Sequence, residues 1–211
     1  MFSTVIVVAF GASAVAAHAV VLRLSGVLYA FALGLSQAVT VRVALGAGAG
    51  NAERIASAVG AALALACVIA LVELAALWIF AERIAALFIT NGSHAASTAA
   101  PAALLIVILA PAEAIGSIGT TAIGALRGVG DTRVPMARSL AALWGVGFCI
   151  AMYLAFEREM GVAGYWIGLL AGTVVLSAAC VVRMWRRLLP RRGDRRNRRS
   201  AGSRTSLAAR W

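Results

Sequence analysis

Apolar residues run along this chain in long stretches separated by short polar or glycine-rich connections. The stretches cover about residues 2–22, 24–45, 57–80, 99–126, 135–156 and 162–185. Crossing about 30 Å of hydrocarbon takes roughly 20 mostly apolar residues in a helix, so each stretch predicts a membrane span. Backbone groups in lipid must be satisfied within a helix or a closed barrel, and these runs are too long and too rich in Ala and Leu for barrel strands. The expected fold class is therefore an all-α integral membrane protein, a single six-helix bundle over residues 1–187 with a shortened first helix broken by Gly11. Ala12-Ser13-Ala14 has the small-residue look of a signal-peptidase site. No basic segment leads into it and another apolar run follows, so a shortened helix is the expectation. Residues 188–211 are polar, Arg-rich and interrupted by Pro190 and Gly193, which predicts a disordered cytoplasmic tail.

Composition supports the bilayer as solvent. Hydrophobic residues make up 62% of the chain and charged residues 13%, against about 45–50% and 25% in soluble domains. The net charge of +11 does not indicate a specific nucleic-acid partner, because of where it sits. There is no Lys, and eleven of the 19 Arg lie between Arg183 and Arg210. Arg42 and Arg54 flank one connection, and Arg127, Arg133 and Arg138 another. Arginine marks the cytoplasmic side, so with six spans both termini are expected there, in a multi-pass protein of the bacterial inner (plasma) membrane. The tail would also touch anionic lipid head groups. Cys67, Cys149 and Cys180 stand alone in apolar stretches and read as small core residues. His18 and His94 are too separate to suggest a metal site.

Three stretches carry more than hydropathy. The first runs from Ala16-Ala17-His18 through Gly34-Leu35-Ser36-Gln37-Ala38 and Val41-Arg42-Val43 to the glycines at 46, 48 and 50. The second, Leu126-Arg127-Gly128-Val129-Gly130-Asp131-Thr132-Arg133 with Pro135, reads as a tight cytoplasmic turn. Its glycines permit positive φ, Asp131 or Thr132 can cap the next helix, and Pro135 suits a first turn. No Lys-Ser/Thr pair and no preceding strand support a phosphate loop there. In the third stretch, Gly164, Gly168 and Gly172 recur every four residues, a small-residue face for close helix packing or for a dimer.

In this order, the stretches resemble the second half of the multidrug and toxic compound extrusion (MATE) family of secondary transporters, over about residues 1–187. The resemblance implies one lobe of a twelve-helix, two-lobe transporter whose opening helix lacks its beginning, with a missing N-terminal lobe as its partner. It implies export of amphipathic or cationic small molecules in exchange for Na⁺ or H⁺, with no other cofactor and no enzyme activity. Alternating access would come from rocking one lobe against the other. Two alternatives remain open, a lobe of a related lipid-linked polysaccharide flippase and a non-transporting half-size membrane protein.

Ionisable side chains within spans are costly, so each is a candidate for function. Glu113 follows Pro111, which cannot donate a backbone hydrogen bond and loosens the turn before it. A carboxylate there can hold a cation or cycle a proton. The resemblance places a family coupling carboxylate near Gly116, about one turn away. It places another just upstream of Met1, a position this sequence does not contain. Glu73 is the second ion-coupling candidate. Gln37, Tyr29, Arg23 and Trp144 are candidates to line a cleft for amphipathic cations, since aromatic faces attract positive charge.

Overall fold

The computed structural model describes residues 7–8, 10–88 and 95–188. These are helical apart from short turns: α1 (Ala12–Gly48), α2 (Ala52–Phe88), α3 (Ala95–Gly128), α4 (Arg133–Glu157) and α5 (Gly161–Leu188). All five are long and apolar enough to cross a membrane, so the chain is an all-α, multi-pass membrane protein. The separate spans expected over 2–22 and 24–45 are not formed, and among the described residues the bundle has five such helices rather than six. Arg23 falls between the two expected spans, and a charged residue without Gly or Pro beside it does not interrupt intrahelical hydrogen bonds. The backbone turns instead at Phe10–Gly11, where Gly11 has φ +95°, and α1 then continues unbroken through Arg23. At about 1.5 Å per residue, its 37 residues reach some 55 Å, well beyond the hydrocarbon layer.

α3 runs through the centre of the bundle and packs against α1, α2 and α5. Its small residues allow this. A Cβ on Gly128 would lie 2.7 Å from the Thr40 carbonyl of α1, one on Gly124 would strike the Ser36 backbone, and one on Gly119 would strike Ser177 of α5. Hydroxyls close the seam with α1: Ser36 Oγ donates to the Thr120 carbonyl (2.9 Å), and Thr40 Oγ1 donates to the Gly124 carbonyl (2.9 Å). Lipid is as apolar as a side chain, so close backbone approach and interhelical hydrogen bonds carry association in a membrane.

Pro111 interrupts α3 without leaving its freed acceptor exposed. Proline at 111 removes the hydrogen bond to the carbonyl of Val107, four residues earlier. Trp78 of α2 supplies the replacement, its indole Nε1 donating to the Val107 carbonyl at 3.3 Å.

α4 is irregular. It is α-helical over Arg133–Leu140 and Phe148–Met152, with π-helical turns over Ala141–Gly147 and Tyr153–Glu157. It lies almost backbone to backbone on the glycine face of α5: a Cβ on Gly172 would come within 2.8 Å of Gly147 Cα, and one on Gly164 within 2.7 Å of the Leu154 carbonyl carbon. A Cβ on Gly168 would enter the Ala151 backbone. The 164/168/172 face is therefore used inside the bundle, which leaves it unavailable for a dimer. Cys180 is buried, as a core residue should be, whereas Cys67 and Cys149 point outward, so the core reading is corrected for those two. An outward face in lipid accepts apolar Cys as readily as the interior does. The tail from residue 189 onward, and His94, lie outside the described residues.

Leu at position 168 must displace the Ala151 backbone, and overpacking of this kind costs about 1–3 kcal/mol or more. Gly168→Leu is expected to cut the yield of folded chain and lower its melting temperature by several degrees. Gly26→Ala, whose added Cβ meets nothing within 4 Å, should leave both unchanged. Thermal melting in detergent micelles compares them directly.

Candidate functional site

The four helices α1, α3, α4 and α5 line an open-sided cavity of about 560 Å³. α1 contributes Ser25, Tyr29 and Ala32, and α3 contributes one face from Leu109 through Glu113, Ser117 and Thr120 to Arg127. α4 contributes Met136, Ser139, Leu140 and Leu143, while α5 contributes Trp166, Leu169, Thr173 and Ser177. Leucines and alanines form much of the wall, and a line of hydroxyls runs through it.

Glu113 is the one carboxylate in this wall, and the Ser25 hydroxyl of α1 donates to its Oε1. The partner is thus on a neighbouring helix. Ser117, the local alternative, donates to the Ala114 carbonyl instead (3.0 Å). Thr121 and Thr173 likewise donate to their own helix backbones, at 2.9 Å to Ser117 and 3.0 Å to Leu169. Glu73 of α2 is 8% exposed and does not line the cavity.

Among the cleft candidates, only Tyr29 lines this space. Arg23 and Gln37 lie on exposed faces of α1, and Trp144 lies on an exposed face of α4, its ring 5.7 Å from that of Phe148. All three fall outside the cavity wall. Two residues the sequence did not single out do line it, Ser25 and Trp166. Ser25, Tyr29, Ala32 and Ser36 recur at spacings of four, three and four, the signature of one helical face, and that spacing could have exposed Ser25. Trp166 is 6% exposed, its Nε1 is buried with no hydrogen-bond partner, and its ring lies 5.5 Å from that of the fully buried His18, tilted by 53°.

The turn after α3 forms as expected in its backbone and differs in its caps. Gly130 takes φ +76°, and Asp131 N–H donates back to the Leu126 carbonyl at 3.0 Å. No side chain caps α4. Thr132 itself adopts a helical conformation, whereas a capping residue has an extended one, and Asp131 is engaged elsewhere. Arg183 Nε of α5 donates to Asp131 Oδ2 at 2.7 Å, with Arg187 3.9 Å from the same oxygen. Arg138 Nη1 donates to the Ala179 carbonyl at 2.6 Å, a second tie between α4 and α5 at this end of the bundle. Arg183 holds the Asp131 carboxyl below the usual carboxylate range.

With five long apolar helices around a central glycine-lined helix, the comparisons with known proteins are decisive. The sequence profile of the MatE family matches residues 1–153. The chain belongs to the MatE family. It is 35% identical over 179 residues to the multidrug resistance protein NorM of Burkholderia vietnamiensis, covering 83% of this chain and 38% of that protein. It is 36% identical over 182 residues to a probable multidrug resistance protein NorM of Bradyrhizobium diazoefficiens, covering 85% and 38%. The fold matches a crystal structure of MATE in complex with MaL6 with a TM-score of 0.80 at 21% identity, over 89% of this chain and 41% of that one. An inward-facing multidrug resistance MATE family transporter of the MOP superfamily gives 0.75 at 20% identity, over 83% and 40%. This chain spans about two fifths of the length of the relatives it matches. The MatE family is one of transporters and not of enzymes.

The Asp131 carboxyl titrates below its unfolded value, so its pairing adds stability at neutral pH and loses it as pH falls through the folded value, below about pH 4. Asp131→Asn should therefore melt below the parent protein at pH 7, and the gap should close in strong acid. Melting curves across that range decide it, and a gap that persists in acid would assign the loss to packing.

Proposed function

We propose that this chain is the second lobe of a MATE-type secondary antiporter that exports amphipathic or cationic compounds in exchange for Na⁺ or H⁺, with Glu113 as its exchange group. The observation that carries this reading is the single carboxylate in a largely apolar cavity, tied by Ser25 to a different helix. An anionic side chain in such surroundings is stabilised by a cation or a proton, and its neutralisation alters the contact between α1 and α3. The family membership and the relatives named for multidrug resistance support export.

In this reading residues 1–187 form the lobe, 188–211 a cytoplasmic tail, and an N-terminal lobe is the partner against which the bundle rocks. The chain sits in the inner membrane with the 48–52 and 128–133 connections and the end of α5 on the cytoplasmic side, following the arginine bias. With α1 a single span, its N-terminal end then lies on the opposite side, in place of the cytoplasmic position expected from six spans. Glu73, buried in α2, is the secondary coupling candidate. A lipid-linked sugar flippase would present basic groups to an anionic substrate, and Arg127 is the one arginine in the cavity wall. The carboxylate inside favours the cation exporter.

The test is dye efflux from vesicles containing this chain alone, and from vesicles in which it is joined behind the first lobe of the Burkholderia vietnamiensis NorM. Ion-driven efflux is expected only from the joined form, and Glu113→Gln should reduce it at least tenfold. Efflux by the chain alone would overturn the half-transporter reading. Undiminished efflux with Gln at 113 would remove Glu113 from coupling.

A further inference from the structure

We propose that Arg138, Arg183 and Arg187, gathered around Asp131 at the ends of α4 and α5, bind the phosphate of an anionic phospholipid. None of the three belongs to the cavity wall, so the inference is independent of the role given to Glu113.

Charge at this end of the bundle is out of balance. The α3–α4 turn, the start of α4 and the last turns of α5 carry Arg127, Arg133, Arg138, Arg183, Arg186 and Arg187. Asp131 is the single acidic residue between Glu113 and Glu157, and α5 contains none. The α1–α2 connection adds Glu53 but also Arg42 and Arg54, and the sequence beyond Leu188 adds eight Arg against one Asp. Neighbouring sequence therefore offers no balancing anion.

The arginines around Asp131 are held in place with donors left over. Arg183 Nε donates to Asp131 Oδ2 at 2.7 Å, and Arg187 Nε lies 3.9 Å from the same oxygen. Arg138 Nη1 donates to the Ala179 carbonyl at 2.6 Å. A guanidinium has five N–H donors, so Arg183 and Arg138 are each anchored through one nitrogen and keep others for a ligand. Anchoring has already removed much of their rotamer freedom, which lowers the entropy lost when an anion binds. The Arg187 side chain is 60% exposed and open to a ligand from outside. One carboxylate cannot neutralise three guanidiniums. A phosphate can complete the neutralisation, because its oxygens match the planar guanidinium fork.

Position selects a lipid over a free anion. α5 is long and apolar enough to cross a membrane, and the cluster stands at its end, where head groups lie. Deeper along α5, Val175, Ala178 and Val182 are exposed and recur at spacings of three and four, one helical face. Trp185, 56% exposed beside the cluster in sequence, has the amphipathic ring of an interface anchor. A phosphate held by the arginines leaves an acyl chain to lie along that apolar face, an arrangement inorganic phosphate cannot use.

The test titrates the whole 211-residue chain, in neutral detergent micelles at fixed ionic strength, with phosphatidylglycerol or phosphatidylcholine. Native mass spectrometry counts the bound lipid. Phosphatidylglycerol is expected to saturate at one tightly held molecule per chain, at least about fivefold tighter than phosphatidylcholine. Arg187→Gln and Arg138→Gln should each weaken it about fivefold, whereas Arg42→Gln, the same loss of charge at the α1–α2 connection, should not. Equal binding of the two lipids, or an equal loss in Arg42→Gln, would reduce the site to general attraction toward a basic surface and overturn the proposal. Unchanged phosphatidylglycerol binding in either Arg187→Gln or Arg138→Gln would overturn it as well. Displacement of the lipid by inorganic phosphate at matching concentration would make the ligand a free anion and sink the lipid assignment.

Discussion

The structure depends on backbone-level contact along one side of α3. Hydrocarbon gives helices no reason to leave lipid for one another, so what holds them is proximity and the few polar bonds that proximity permits. Gly119, Gly124 and Gly128 let α1 and α5 approach to where a methyl group would collide. The hydroxyls of Ser36 and Thr40 then reach carbonyls of α3. The glycine face of α5 repeats the arrangement against α4. The cavity lies among the four helices that these two seams hold together.

A second constraint is that no polar group in lipid can be left to water. In the cavity wall the hydroxyls of Ser117, Ser139 and Thr173 turn to carbonyls of their own helices, and the acceptor that Pro111 frees is taken by Trp78 from across an interface. Glu113 departs from this local pattern by finding its partner on another helix. Any change in its charge is therefore felt by the contact between α1 and α3 rather than within a single turn.

Much of this was legible in the residues. Hydropathy located the membrane-crossing segments, the Arg127–Arg133 motif gave the turn, and the four-residue glycine spacing gave a packing face. The division at Arg23 failed because a hydropathy window treats any arginine as an end, whereas helix termination depends on backbone breakers such as Gly11. Gln37, Arg23 and Trp144 lie on exposed faces outside the cavity wall, which their positions in the sequence did not reveal. In a soluble helix, polar residues mark the outer face, but in lipid both faces are apolar and a lone Gln or Trp gives no direction. Ser25 was overlooked because serine is ordinary in membrane helices, and only its distant partner makes it informative. The ion pair of Asp131 with Arg183 joins positions 52 apart in sequence, and no local pattern announces such a contact.

The π turns of α4 have a consequence for how this helix is compared with others. Each accommodates an extra residue where a regular helix would not, so side chains beyond it are rotated relative to those before it. Met136 and Leu140 face the cavity on one side of the first π segment, and Ala151 meets Gly168 on the other. A helical wheel drawn at 3.6 residues per turn misplaces one set or the other. A straight α-helix of the same sequence could keep either the wall of the cavity or the glycine contact, but not both.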